Sequence, residues 1–278
     1  MLIDTHAHLW DTGVLDYPWL AEADTLPKVF LPADLREGDR EKTRFVFVQA
    51  DCLASQGLEE ARWVADRGAD DLAGIVAFAP LETAAVTADL AALDAVPGVV
   101  GIRRLLQDAD EELLDSPDLD AGLEAVSARG WTFDACIHWQ QLSALTRLAA
   151  RHEGLPIVLD HLGKPPLDSD DTQTFALWRS QLADLASLPH VFLKLSGLPA
   201  ETVSEPTAGA LGPWLRAAFD LFGPDRSMLG SDYPVSRRRG MVRADWFDLV
   251  ASALGASAAE WAQVREHTAR AVYRLDLD

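Results

Sequence analysis

Two histidines stand two residues apart near the start of the sequence, in Met1-Leu2-Ile3-Asp4-Thr5-His6-Ala7-His8-Leu9-Trp10. In a strand, residues i and i+2 point to the same face. His6 and His8 can therefore present two imidazoles side by side at the end of a strand that opens with Leu2-Ile3. That pair suits a divalent metal or a charged substrate. His-x-His alone is a weak motif. It gains weight from the far end of the sequence, where Met228-Leu229-Gly230-Ser231-Asp232-Tyr233-Pro234 reads as another short strand ending in an acid. A first strand ending in His-x-His and a last strand ending in Asp would be neighbours in a closed barrel.

The elements between them keep a regular alternation. Apolar, β-branched or aromatic runs predict strands at 44–51, 72–79, 99–105, 132–138, 156–162, 191–196 and 228–232, besides the one at the start. Helical spacing predicts helices at 55–68 (stopped by Gly68), 84–95, 116–129, 141–153, 172–187 and 207–222, with two more at 244–254 and 258–272. Ser116-Pro117 starts one of these and Gly130 stops it. Residues 11–43 form a long connection with a short helix at 33–41, and its aromatic residues suggest that it folds over something. Eight strands, each followed by a helical stretch, predict a single-domain α/β fold, a (β/α)8 TIM barrel spanning residues 1–278.

Active sites of such barrels lie at the C-terminal strand ends. Those ends carry His6, His8, Gln49, Asp51, Arg103, Arg104, His138, His161, Lys194, Ser196 and Asp232. Four of the seven histidines fall there, where random scatter would favour helices and loops. Alternate strand residues face opposite sides, so Arg103 is the inward candidate and Arg104 the outward one. Asp51 can instead cap the following helix. Only four lysines accompany twenty arginines, and two of the four, Lys164 and Lys194, lie at or just beyond strand ends. A compact ammonium there serves either a substrate or a structural carboxylate pair. Arg237-Arg238-Arg239 reads as a solvated loop, with an anion-binding role as the alternative.

Composition narrows the partners. The chain has 278 residues, 49% of them hydrophobic, and a formal net charge of -20, with a pI of about 4.6. Such a surface repels nucleic acid and anionic lipid. No apolar run approaches the roughly 20 residues of a membrane span, and no leader pattern precedes His6. Cys52 and Cys136 read as two reduced, buried thiols in a cytoplasmic protein. Neither belongs to a Cys-x-x-Cys pair, which argues against a zinc-thiolate site. Oligomeric state is open, a homo-oligomer included.

The segments Ile3-Asp4-Thr5-His6-Ala7-His8-Leu9-Trp10, Tyr17-Pro18-Trp19-Leu20, Gln49-Ala50-Asp51-Cys52, Gly101-Ile102-Arg103-Arg104-Leu105-Leu106-Gln107, Leu159-Asp160-His161-Leu162-Gly163-Lys164-Pro165, Lys194-Leu195-Ser196-Gly197-Leu198 and Gly230-Ser231-Asp232-Tyr233-Pro234 together resemble the branch of the amidohydrolase superfamily that contains sugar lactonases. The resemblance covers nearly the whole chain. It implies a (β/α)8 barrel and hydrolysis of a small sugar lactone. The superfamily pattern carries Lys or Glu on strand four, where this chain has Arg103 and Arg104. That argues against a two-metal site. His6, His8, His138 and Asp232 could still hold one divalent metal, and zinc suits such an N/O set. Members of this branch differ in whether they need a metal.

Within that frame Asp232 is the expected general base, its acid form then protonating the ring oxygen. A metal would polarise the carbonyl, or His161 and Arg103 would act as donors to the oxyanion. Arg103 or Lys164 would favour the carboxylate product. Trp10, Trp19 and Trp139 offer flat walls for a sugar ring, with aromatic packing in loops as the competing reading. The same residues allow a metal-dependent decarboxylase or another ester or amide hydrolase. A non-catalytic sugar-acid or metal-binding protein is the alternative of another class.

Overall fold

The alternating runs assemble into one eight-stranded sheet whose strands follow chain order. These are β1 (Leu2–Ala7), β2 (Thr43–Val48), β3 (Leu72–Phe78), β4 (Val99–Leu105), β5 (Thr132–Cys136), β6 (Ile157–Leu159), β7 (Val191–Leu195) and β8 (Ser227–Leu229). Every pair of successive strands is parallel. The computed structural model describes residues 1–67 and 69–277, without the side chains of Ala69, Arg238 and Arg239. Gly68 and those two arginine side chains thus lie outside the described residues.

The seam between β1 and β8 is closed by residues just past β8. Asp232 N–H donates to His6 O at 2.7 Å, and His8 N–H donates to Tyr233 O at 2.9 Å. Thr5 Oγ1 adds a bond to Leu229 O at 2.8 Å. This makes the sheet a near-closed (β/α)8 barrel, as the sequence predicts.

The outer layer comprises α1 (Gly57–Arg67), α2 (Val86–Asp94), α3 (Pro117–Ser127), α4 (Leu142–Arg151), α5 (Thr172–Ala186), α6 (Ala208–Phe222) and α7 (Arg243–Leu254). A final helix, α8, runs through Ala258–Ala262, a π segment at Gln263–His267, and Thr268–Val272. Their starts follow capping chemistry. Ser116 accepts from Asp118 N ahead of Pro117, and Asp171 accepts from Gln173 N and Thr174 N. Each such cap stabilises its helix by about 1 kcal/mol.

Strand alternation separates two apolar layers. Phe45 and Phe47 of β2 pack outward against the helices. Ile3, Val46, Val48, Val76, Val158 and Met228 form the inner cluster, which Tyr273, Leu275 and Leu277 join. Full burial of each such side chain stabilises the fold by about 1.5–3 kcal/mol.

Three elements differ from expectation. The helix expected at 33–41 is one turn, Pro32–Leu35, and Gly38 beyond it has a φ of +83° that no right-handed helix accommodates. Strand β6 stops at Leu159, because His161, Leu162 and Lys164 adopt left-handed backbone. The long connection contributes an unforeseen two-stranded ribbon, Trp10–Asp11 against Val29–Phe30. Among the described residues, no helix is long and apolar enough to cross a membrane.

Candidate active site

A cavity of about 190 Å³ opens at the C-terminal strand ends, lined by His8, Trp19, Arg103, His161, Lys164 and Asp232 among others. His6 and His8 share the inner face only because β1 is irregular. Ile3 faces inward, whereas Asp4 bonds to Arg243 of the outer layer at 2.9 Å. Strict alternation would then send His6 outward. The pairing of β1 with β2 shifts between Asp4 and Ala7, and this bulge re-aims His6 into the barrel.

Three imidazoles converge on one carboxylate oxygen. Asp232 Oδ1 lies 3.2 Å from His8 Nε2, 3.7 Å from His6 Nε2 and 3.9 Å from His161 Nε2. Each ring is held from behind through its other nitrogen. His8 Nδ1 lies 2.8 Å from Val48 O, His161 Nδ1 lies 2.9 Å from Ser196 Oγ, and His6 Nδ1 lies 3.3 Å from Asp160 Oδ1. A carbonyl only accepts, so His8 carries a proton on Nδ1, and Nε2 is the atom it turns toward Asp232.

The electrostatics follow from burial and neighbours. Burial raises the Asp232 carboxyl, but His161 and the other histidines outweigh it and hold the group well below the usual carboxylate range. Burial pushes both His6 and His161 down. Asp160 is held low against burial, chiefly by Lys194. Lys194 itself is fully buried and lies 2.5 Å from Asp134 Oδ2 and 3.2 Å from Asp160 Oδ1. Tyr273 Oη donates to Asp134 at 2.8 Å. The structural alternative for Lys194 thus describes what its ammonium touches.

Arg103 turns inward and Arg104 outward. Arg103 donates to Gln49 O, lies 3.4 Å from His6 Nε2 and 3.6 Å from Asp160 Oδ2. Arg104 grips Glu82 through Nε and an Nη at 3.2 and 2.7 Å. Lys164 pairs with Glu201 at 2.8 Å and still borders the cavity. Trp19 stands on the cavity wall, fixed by its Nε1 donating to Ala50 O at 2.8 Å. Asp51 also lines the cavity, and burial raises its carboxyl.

Two expected site residues lie elsewhere. Trp10 is fully buried; its Nε1 donates to Pro27 O at 2.8 Å and its ring meets Trp19 edge-on. It packs the long connection and cannot touch a substrate. His138 does not join the histidine cluster. Strand β5 ends at Cys136, and the chain turns at once into Trp139–Gln141. His138 and Trp139 instead line a separate outer cavity of about 660 Å³. Arg237 is exposed.

Sequence reasoning missed Asp160, Asp134, Tyr273 and Glu201 as parts of this assembly, whereas Ser196, one of the strand-end residues, stands behind His161. For Asp134 a signal existed: a charged residue in mid-strand must find an opposite charge, and Lys194 is a mid-strand residue of the opposite sign.

His6, His8 and Asp232 form a site for one metal ion, with all ligand atoms buried and within 4.8 Å of one another. The fit rests on His8: its Nδ1 is committed to Val48 O, which leaves Nε2, 3.2 Å from a carboxylate oxygen, as the atom available to a metal. Neutral imidazoles plus a carboxylate are the donors zinc takes. His6, Asp160 and His161 form a second such group, but Lys194 and Arg103 already neutralise Asp160.

Comparison with known proteins agrees with this geometry. The chain matches the family described as Amidohydrolase over residues 3–275. It is 36% identical to the L-fucono-1,5-lactonase of Burkholderia ambifaria over 247 residues, 86% of this chain and 82% of the relative. It is 32% identical to that of Burkholderia multivorans over 246 residues, 84% of this chain and 82% of the relative. The crystal structure of an amidohydrolase from Burkholderia multivorans with bound zinc superposes with a TM-score of 0.88 at 30% identity, over 99% of this chain and 100% of that one. Barrel, metal site and full-length match together establish that this chain belongs to the amidohydrolase family.

Proposed function

We propose that this protein is a hydrolase that opens a sugar-derived lactone, an aldonolactone, to its acid. The observation that carries the reading is the convergence of three imidazole Nε2 atoms on Asp232 Oδ1 at the edge of a cavity of about 190 Å³. That volume lies below the roughly 300–1,000 Å³ of sites for drug-sized ligands and suits one small ring. The L-fucono-1,5-lactonases named above are the relatives that point to a sugar lactone.

Each residue then has a task. Asp232, held ionised by its histidines, takes a proton from water as the water oxygen bonds to the lactone carbonyl carbon. Arg103 and His161 are the donors placed for the oxygen that gains charge. As the ring C–O bond breaks, Asp232 returns the proton to the departing oxygen and leaves a hydroxy acid. Arg103 and Lys164 favour its carboxylate, and Trp19 offers a rigid flat wall to the ring. When bound by His6, His8 and Asp232, a divalent ion (zinc, as in the relative) supplies Lewis-acid polarisation of the carbonyl. The net charge of -20 argues against nucleic-acid partners. Two free, buried thiols support a cytoplasmic location.

The test is hydrolysis of a panel of aldonolactones followed with a pH indicator, before and after chelation. Turnover lost on chelation and restored by zinc is the expected result. Asp232→Asn should lower kcat about 10²–10⁴-fold with the fold intact. Turnover on no lactone, or near-normal kcat in Asp232→Asn, overturns the assignment.

A further inference from the structure

The outer cavity holds none of the metal-cluster residues, yet it adjoins the inner cavity. It shares Gln107, Lys164 and Glu201 with the inner cavity. The Lys164–Glu201 pair, at 2.8 Å, therefore stands where the two spaces meet. The inner space of about 190 Å³ suits one ring, and the outer space of about 660 Å³ has room for another.

The outer walls have the chemistry of a sugar site. Trp139 supplies a half-buried aromatic face, the surface on which the C–H face of a pyranose packs. His138 beside it is half-buried, and among the described residues its ring makes no hydrogen bond, while its backbone N–H is satisfied by Gln141 Oε1 at 2.9 Å. Asp110 and Glu111 add carboxylates that accept from hydroxyl groups and repel an anion, while Glu201 is already paired with Lys164. An uncharged polyol fits this lining, and a second carboxylate does not.

We propose that the outer cavity is a second sugar subsite, so that the enzyme accepts aldonolactones carrying a further neutral glycosyl unit. The lactone would sit at His8, Arg103 and Asp232, and the appended sugar would pass the Lys164–Glu201 neck to rest on Trp139 and His138. This deepens the lactonase reading and rests on it.

The experiment compares kcat/KM for aldono-1,5-lactones with that for their 4-O- and 6-O-glycosylated counterparts, such as lactobionolactone against gluconolactone. At least one glycosylated lactone should match or exceed its parent. Ala109→Trp should obstruct the outer cavity, lowering kcat/KM for that substrate at least tenfold and leaving the parent within about twofold. Trp139→Ala should raise KM for the glycosylated lactone about three- to tenfold. If every glycosylated lactone is at least tenfold poorer than its parent, or Ala109→Trp impairs both equally, the subsite is overturned while the lactonase reading stands. If the parent lactones are not hydrolysed either, both fall.

Discussion

Glu60 should make stability depend on pH in a way that one substitution removes. It lies on α1 and is 1% exposed. One carboxyl oxygen accepts from Ala50 N–H at 3.1 Å, and the other has no partner among the described residues. Burial pushes its pKa up from 4.5 to about 7. Between those values the folded protein keeps a proton that the unfolded chain has released. Its contribution to stability is therefore greatest below about pH 4.5, falls as pH rises to about 7, and stays lowered above that. A gap of roughly 2.5 pH units at 1.36 kcal/mol each makes the loss about 3 kcal/mol. Glu60→Gln keeps the oxygen that faces Ala50 and cannot ionise. Urea unfolding of both proteins at pH 4.5, 6 and 8 should show the variant's advantage growing from near zero to about 3 kcal/mol. A difference that is flat with pH, or a variant less stable at pH 8, would refute the argument. The site shares in this, because the carbonyl of the same Ala50 holds Trp19 on the cavity wall.

Two further substitutions test the scaffold. Lys194→Met strands Asp134 and Asp160 as buried charges, so thermal or urea unfolding should show a loss of about 3–5 kcal/mol. Adding Asp134→Asn should recover part of it, and a single variant as stable as wild type would contradict the pairing. Gly197 has a φ of +74°, and a Cβ there would lie 2.1 Å from His161 Nδ1. Gly197→Ala should therefore displace His161 and lower kcat/KM at least tenfold; unchanged kinetics would remove His161 from the reacting centre.

What could be read from the sequence stops where regular backbone stops. Apolar, β-branched and aromatic runs and the helical spacing between them located all eight strands, and with them His6, His8, Arg103 and Asp232. Period-2 alternation separated Arg103 from Arg104, because β4 is regular through both. Past the last hydrogen-bonded residue, alternation carries no direction. His138 lies two residues beyond β5 and faces the outer cavity, while His161 lies two beyond β6 and reaches the cluster only through left-handed backbone. Even His6 depends on a bulge that a flat reading of β1 omits. Trp10 and Trp19 look alike as residues of one aromatic stretch, and only tertiary packing decides which is covered. Asp160 escaped notice because its partners come from β1, β4 and β7, a combination that only the closed barrel creates.

The seam also sets an order of events at the ribosome. His8 and Asp232 are 224 positions apart in sequence, and a chain grows at about 5–20 residues per second. For on the order of ten seconds or more, β1 has β2 on one flank and nothing on the other. Its open flank carries the His6 carbonyl, the His8 N–H and the Thr5 hydroxyl, which later bond to β8 and the segment after it. Until that segment emerges, the nascent sheet keeps an open edge, the part of an incomplete fold most prone to pair with a stray strand. The metal ligands are therefore complete only after the barrel's last strand has been made, so a ribosome-bound fragment lacking that strand cannot assemble the site, however well its earlier units have folded.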